Sequence, residues 1–194
     1  MSFPPLILAS GSPYRRELLQ RLNVEFRVHA ADIDEQSFET HDRTPRDVAI
    51  VLAIRKAQTV LALYPEAIVI GSDQVVSLNG EILGKPGTER GAMAQLRRLS
   101  GRNHQLVTAV AVISQLRETT FVDETSMWMR SLSDDEVNRY VRQDRPWDCA
   151  GSYRIEALGI ALFDRIDCAD FTAIIGLPLV RLAALLRGHG FQIP

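Results

Sequence analysis

The stretch Ala67-Ile-Val-Ile-Gly-Ser-Asp73 constrains the fold of this chain more than any other. A run this apolar, closed by a carboxylate, suits a strand buried at the centre of a sheet. In α/β proteins ligands gather beyond the carboxyl ends of such strands, which makes Asp73 the most informative acidic residue. An Asp that only hydrogen-bonds a turn is the plain alternative. The strand continues to Leu78, and Asn79-Gly80 is the two-residue turn of a hairpin leading into Glu81-Ile-Leu-Gly-Lys-Pro86.

Helix and strand patterns alternate along the rest of the chain. Pro5–Ala9 reads as a short buried strand, residues 13–22 as a helix, and Glu25–Ala30 as a strand before an acidic loop. Thr44-Pro45 opens a long helix to Leu63, which Tyr64-Pro65 ends. Thr88 caps a helix to Leu99. His104–Ser114 and Thr119–Met129 would pair as a hairpin around Gln115–Glu118. Ser133-Asp-Asp-Glu136 is a capping box for a helix to Val141, Gly159–Ile166 reads as a strand, and Pro178 begins a terminal amphipathic helix. This order predicts an α/β fold with a mixed twisted sheet flanked by helices, because hairpins interrupt the βα alternation.

The chain has 194 residues, enough for a single domain over 1–194, or one core in two lobes without a separate linker. A formal net charge of −2 gives no general attraction to nucleic acid or to a membrane surface, so any polyanion site must be local. Arg55 and Arg181 break the apolar stretches that might otherwise span a bilayer. Cys149 and Cys168 have neither disulfide-framework nor metal spacing and are expected as free buried thiols. With no basic segment ahead of an apolar run, the expected location is cytoplasmic. There is no GxxxxGK[ST] loop.

Ser10-Gly-Ser-Pro13 runs straight into Tyr14, Arg15 and Arg16. Ser12 is a good N-cap and Pro13 a good first helical residue. Strand, tight turn and helix start would set free N–H groups and a positive dipole end beside two arginines, which is how an anion site is made. An ordinary capped helix with solvated arginines would look the same. Lys56 shares a helix face with Ala49, Leu52, Ala53 and Val60, so it either snorkels to water or meets an anion in a cleft. Glu35 follows Asp32 and Asp34 in an acidic loop that is either solvated or holds Mg²⁺ or Mn²⁺. Counting back from Asn79-Gly80 sets Gln74 opposite Lys85 and Lys85 one residue from Asp73, although strict alternation points those two to opposite faces. An exposed cation on a turn is the simpler reading of Lys85. Taken together, carboxylates, cations and a helix N-terminus fit phosphoryl or pyrophosphoryl chemistry.

The motifs LASGSPYRRELL, DIDE, RKAQ, IGSDQVV, GKP and the late GLPL stand in the order and spacing of the Maf family, and the resemblance covers Leu6 to about Leu186. It implies a fold similar to inosine triphosphate pyrophosphatases, two lobes with a nucleotide cleft between them. It also implies hydrolysis of a nucleoside triphosphate to monophosphate and pyrophosphate with a divalent cation. By motif position Asp73 matches the family's catalytic base, and Glu35 its acidic, metal-linked residue. Ser10, Arg15, Lys56 and Lys85 match its phosphate-binding set, with Gly11 and Ser12 completing the turn and Arg16 matched without a firm role. Glu35 and Asp73 would be the metal ligands.

Tyr14, Gln74 and Glu156 resemble the markers of the branch acting on 7-methyl-GTP, whose counterparts in the dTTP/UTP branch are Arg, Thr and Gln. The N7-methylated base is cationic, so an aromatic face and a carboxylate would favour it. Core packing with Leu18 and Leu22 is the alternative role of Tyr14. The branch more often has Trp at Tyr14, and Thr172 stands where the family commonly has Asn, which leaves the contacts of the Asp170–Thr172 loop open. The expected reaction is attack on the α-phosphorus by a water that Asp73 orients or deprotonates, with cations neutralising the charge. A dTTP/UTP pyrophosphatase and a non-catalytic nucleotide-binding regulator of cell division are the rival readings. The expected partner is a nucleotide, with no nucleic acid and no membrane, and a homodimer is left open.

Overall fold

The computed structural model describes residues 4–34 and 43–194. Among these residues the strands form one mixed sheet, ordered β2-β1-β3-β5-β6-β7 with β4 paired to β3. The strands are β1 (Leu6–Leu8), β2 (Arg27–Val28), β3 (Ile68–Leu78), β4 (Glu81–Leu83), β5 (Asn103–Ile113), β6 (Glu118–Met129) and β7 (Phe163–Asp167). Both pairings of β1 are parallel, whereas β3–β4 and β6–β7 are antiparallel. The helices are α1 (Pro13–Gln20), α2 (Pro45–Leu63), α3 (Glu89–Leu99), α4 (Asp134–Asp144), α5 (Phe171–Ile175) and α6 (Leu179–Gly188). The expected mixed α/β sheet with flanking helices is therefore present.

Local chemistry explains most element boundaries. Thr44 and Ser133 each close a capping box, with Asp47 and Glu136, and Thr88 caps α3 through the Gly91 N–H. Asn79 and Gly80 both have positive φ, as the tight hairpin turn requires, and Leu78 pairs with Glu81 as counted. That ladder stops at Val76–Leu83, so the extrapolated Gln74–Lys85 pair is not part of it. α1 ends two residues early, ahead of Asn23 in the left-handed region. β2 is shorter than expected because its partner β1 offers only Ile7 and Leu8 before the Ser10 turn. The predicted strand at Gly159 begins only at Phe163: Ala157 and Gly159 both donate to the Arg154 carbonyl, which coils this stretch before the strand.

The chain divides into two compact units. Unit 1 comprises residues 1–73, 108–123 and 170–194, and unit 2 residues 74–107 and 124–169. In unit 1, alternation along β3 sends Ile68, Ile70 and Ser72 to one face and Val69, Gly71 and Asp73 to the other. The first face joins Leu6, Leu8, Val110 and Val112 in an apolar cluster with Leu18 and Leu19 of α1 and Leu182 and Leu186 of α6. The second face meets α2. A Cβ on Gly71 would lie 2.1 Å from the Ala53 carbonyl oxygen and 3.0 Å from the Ala57 Cβ, so glycine lets α2 lie directly on the strand. In unit 2, α3 packs on α4 and on the turn at Ala150–Ser152. Here His104 and Tyr153 are buried together, His104 Nε2 lying 3.0 Å from the Tyr153 hydroxyl, with Phe163 beside both rings. Among the described residues no helix is long and apolar enough to cross a membrane.

Candidate active site

Lys56 lies on α2 between Ala53 and Ala57, the two residues that touch Gly71, and Asp73 lies two positions beyond Gly71 on β3. The close helix–strand contact therefore delivers the lysine to the carboxylate. Lys56 Nζ donates to Asp73 Oδ1 at 2.6 Å, and both residues are buried. The helix-face argument left open whether Lys56 snorkels to water or meets an anion; its partner is this carboxylate. A buried ion pair gives up hydration for mutual attraction, so removing either partner alone is costly. It also presents a carboxylate whose charge is locally balanced.

The turn at Ser10–Ser12 is built on its own hydroxyls. Ser10 Oγ accepts from the Ser12 N–H at 3.2 Å and from Arg15 Nη1 at 3.4 Å, while Ser12 Oγ accepts from the Arg15 N–H at 3.4 Å. Ser10 acts as acceptor in both contacts, so its hydroxyl proton is spent in neither. Pro13 opens α1 as expected, and Gly11 and Arg16 are exposed. Tyr14 is half-buried, one turn before Leu18 and two before Leu22, both of which pack with the core.

Arg15 reaches further. Its Nε donates to the Gly176 carbonyl at 3.0 Å, and the Ser72 hydroxyl donates to the same oxygen at 2.9 Å. One hydrogen-bonded path thus links the Ser10 turn, Arg15, Gly176 and Ser72, the residue next to Asp73. Sequence reasoning missed Ser72, Thr108 and the carbonyl of Gly176. Ser72 and Thr108 are buried hydroxyls within otherwise apolar strands, and that was the available signal. The Asp170–Thr172 pair, whose contacts were left open, caps α5 and holds the start of α6: Asp170 Oδ1 accepts from the Thr172 N–H, and Oδ2 from the Val180 N–H.

Unit 2 carries Gln74, Lys85 and Glu156. Gln74 is half-buried on β3, and Lys85 is exposed just past β4. Glu156 lies with its carboxylate 3.6 Å from Arg154 Nε, so a cation already sits beside it. Glu35 lies outside the described residues. Among the described residues no group of three or more His, Cys, Asp or Glu side chains is gathered that could hold a metal ion. Burial holds the His104 imidazole down at about 4, and Cys149, half-buried and free, is pushed up to about 12 by burial and by Asp148. Neither group has a place in the chemistry assembled around Asp73.

Comparison with known proteins identifies the family. The family model described as "Maf-like protein" matches residues 5–189. A protein of Xanthomonas oryzae pv. oryzae (strain MAFF 311018) named "7-methyl-GTP pyrophosphatase" is 48% identical over 191 residues, spanning 98% of this chain and 100% of its own length. One of the same name from Xanthomonas axonopodis pv. citri is 47% identical with the same coverage. Another from Aromatoleum aromaticum is 45% identical over 196 residues, the full length of both chains. Matched from residue 5 to 189, and carrying the Ser10–Arg15 and Lys56–Asp73 pairs within unit 1, the chain belongs to the Maf-like protein family.

Proposed function

We propose that the protein is a hydrolase that cleaves 7-methyl-GTP to 7-methyl-GMP and pyrophosphate. Full-length identity to relatives named for that activity carries the reading. The geometry supplies chemistry to match. Asp73 takes the proton of a water attacking the α-phosphorus, the bond to the bridging oxygen breaks, and pyrophosphate leaves with the electron pair. Lys56 neutralises charge beside the base, and Arg15 with the Ser10 turn meets the phosphates, which is electrostatic stabilisation by groups already in place. Lys85 and Arg16 add cationic charge.

Tyr14 and Glu156 would read the cationic base, by ring face and by carboxylate, and Gln74 follows the catalytic carboxylate as in that branch. The reading includes a divalent cation, Mg²⁺ or Mn²⁺: such an ion takes oxygen ligands, and Asp73, Glu35 and the triphosphate itself would hold it. It would neutralise phosphate charge. The functional setting is cytoplasmic clearance of modified nucleotides, and a homodimer is compatible with it.

The test incubates the protein with 7-methyl-GTP, GTP, dTTP and UTP with each cation and identifies products. Pyrophosphate from 7-methyl-GTP in clear preference supports the proposal. Preference for dTTP and UTP would refute the branch, and no pyrophosphate from any nucleotide would refute the enzyme.

A further inference from the structure

The Gly176-Leu-Pro-Leu179 motif has no part in the reaction just described. We propose that Gly176 is a positioning residue, its carbonyl oxygen fixing the Arg15 guanidinium for the phosphates while the Asp170–Thr172 pair fixes that carbonyl. The proposal rests on the pyrophosphatase reading, in which Arg15 meets phosphate.

Gly176 ends α5 with φ +119, a conformation that turns its carbonyl out of the helix, and the oxygen then accepts from both Arg15 Nε and Ser72 Oγ. A Cβ there would stand 3.2 Å from Arg15 Nε, so a side chain at this position would crowd the arginine as well as strain the backbone. The contacts to Gly176 and Ser10 engage Nε and Nη1 and set the plane of the guanidinium fork.

The segment bearing this carbonyl is fastened to an unusual degree. α5 has five residues, too few to hold itself by its own hydrogen bonds. Asp170 is buried and divides its carboxylate between two helices, Oδ1 to the Thr172 N–H and hydroxyl and Oδ2 to the Val180 N–H at 2.8 Å. Thr172 Oγ1 accepts from the Leu179 N–H at 2.8 Å, and its backbone carbonyl accepts from Gly176 and Leu177. From β5, buried Thr108 donates to the Ala173 carbonyl at 2.9 Å. An ordinary helix cap needs one side chain. Here three hold five residues whose carbonyl meets an arginine, and an arginine held in place before binding loses less freedom on meeting an anion.

Binding of inorganic tripolyphosphate, followed by calorimetry, tests this through the pair of variants Gly176→Ala and Arg15→Ala. Each alone should weaken binding about tenfold, the size expected for one charge-assisted hydrogen bond. The double variant should bind no more weakly than Arg15→Ala alone. Thr172→Val keeps shape and removes the hydroxyl, so it should weaken binding in the same non-additive way, while Thr172→Ser should restore it; this pair carries the test if Gly176→Ala does not fold. Equal losses from Gly176→Ala or Thr172→Val with and without Arg15 would mark a merely structural role and overturn the proposal. An unchanged dissociation constant in Arg15→Ala would instead remove Arg15 from the phosphate site, and the proposal with it.

Discussion

Gly71→Ala tests whether close helix–strand packing sets the Lys56–Asp73 pair. The added Cβ would sit 2.1 Å from the Ala53 carbonyl oxygen, and an ordinary contact begins at 3.4 Å, so α2 and β3 must part by about 1.3 Å. Moved rigidly, Lys56 Nζ would leave the 2.6 Å hydrogen bond and lie beyond hydrogen-bond reach. Overpacking of this kind costs roughly 2–3 kcal/mol. For a chain of this length that lowers Tm by about 5–10 °C. Displacing the pair by this distance should lower kcat by about 10- to 100-fold. Urea unfolding and steady-state turnover of 7-methyl-GTP read both effects. A variant within about 0.5 kcal/mol of the parent that keeps full kcat would refute the reasoning, because such a change is typical of an uninvolved surface site.

Three further outcomes follow from the same structure. Below pH 6.5 the unfolded chain protonates His104, whereas burial delays this in the folded protein to about pH 4, so stability should fall as pH drops through that window. The full difference is about 3 kcal/mol, and His104→Phe should flatten that part of the urea-midpoint profile; an identical slope in the variant would contradict it. Glu156→Gln should reduce preference for 7-methyl-GTP over GTP by about fivefold, a modest change because Arg154 already shares the carboxylate; unchanged kcat/KM ratios would exclude Glu156 from base recognition. Chelation of divalent cations should abolish turnover and Mg²⁺ or Mn²⁺ restore it, and undiminished pyrophosphate release in chelator would remove the cation from the reaction.

Features governed by near neighbours were legible in the sequence. Asn79-Gly80 demanded a tight hairpin, and Thr44, Thr88 and Ser133 announced helices that begin where they should. The alternation that sends Asp73 one way and Ser72 the other was also readable, but their partners were not. Lys56 is 17 residues from Asp73, Gly176 is 104 from Ser72, and Tyr153 is 49 from His104. Such contacts depend on how layers pack, and the absence of a Cβ at Gly71 decides one of them. α5 escaped notice for a related reason: five residues carry too little periodicity, and the Asp170 clamp reaches ten residues ahead to Val180.

The central claim is that Asp73 is the base of a pyrophosphatase. The direct measurement is kcat for pyrophosphate release from 7-methyl-GTP by Asp73→Asn, alongside its urea unfolding curve. Asparagine still accepts the Lys56 hydrogen bond but cannot take a proton, so a cooperative transition should persist while kcat falls by about 10²- to 10⁴-fold. A folded variant turning over within a few-fold of the parent would contradict the account.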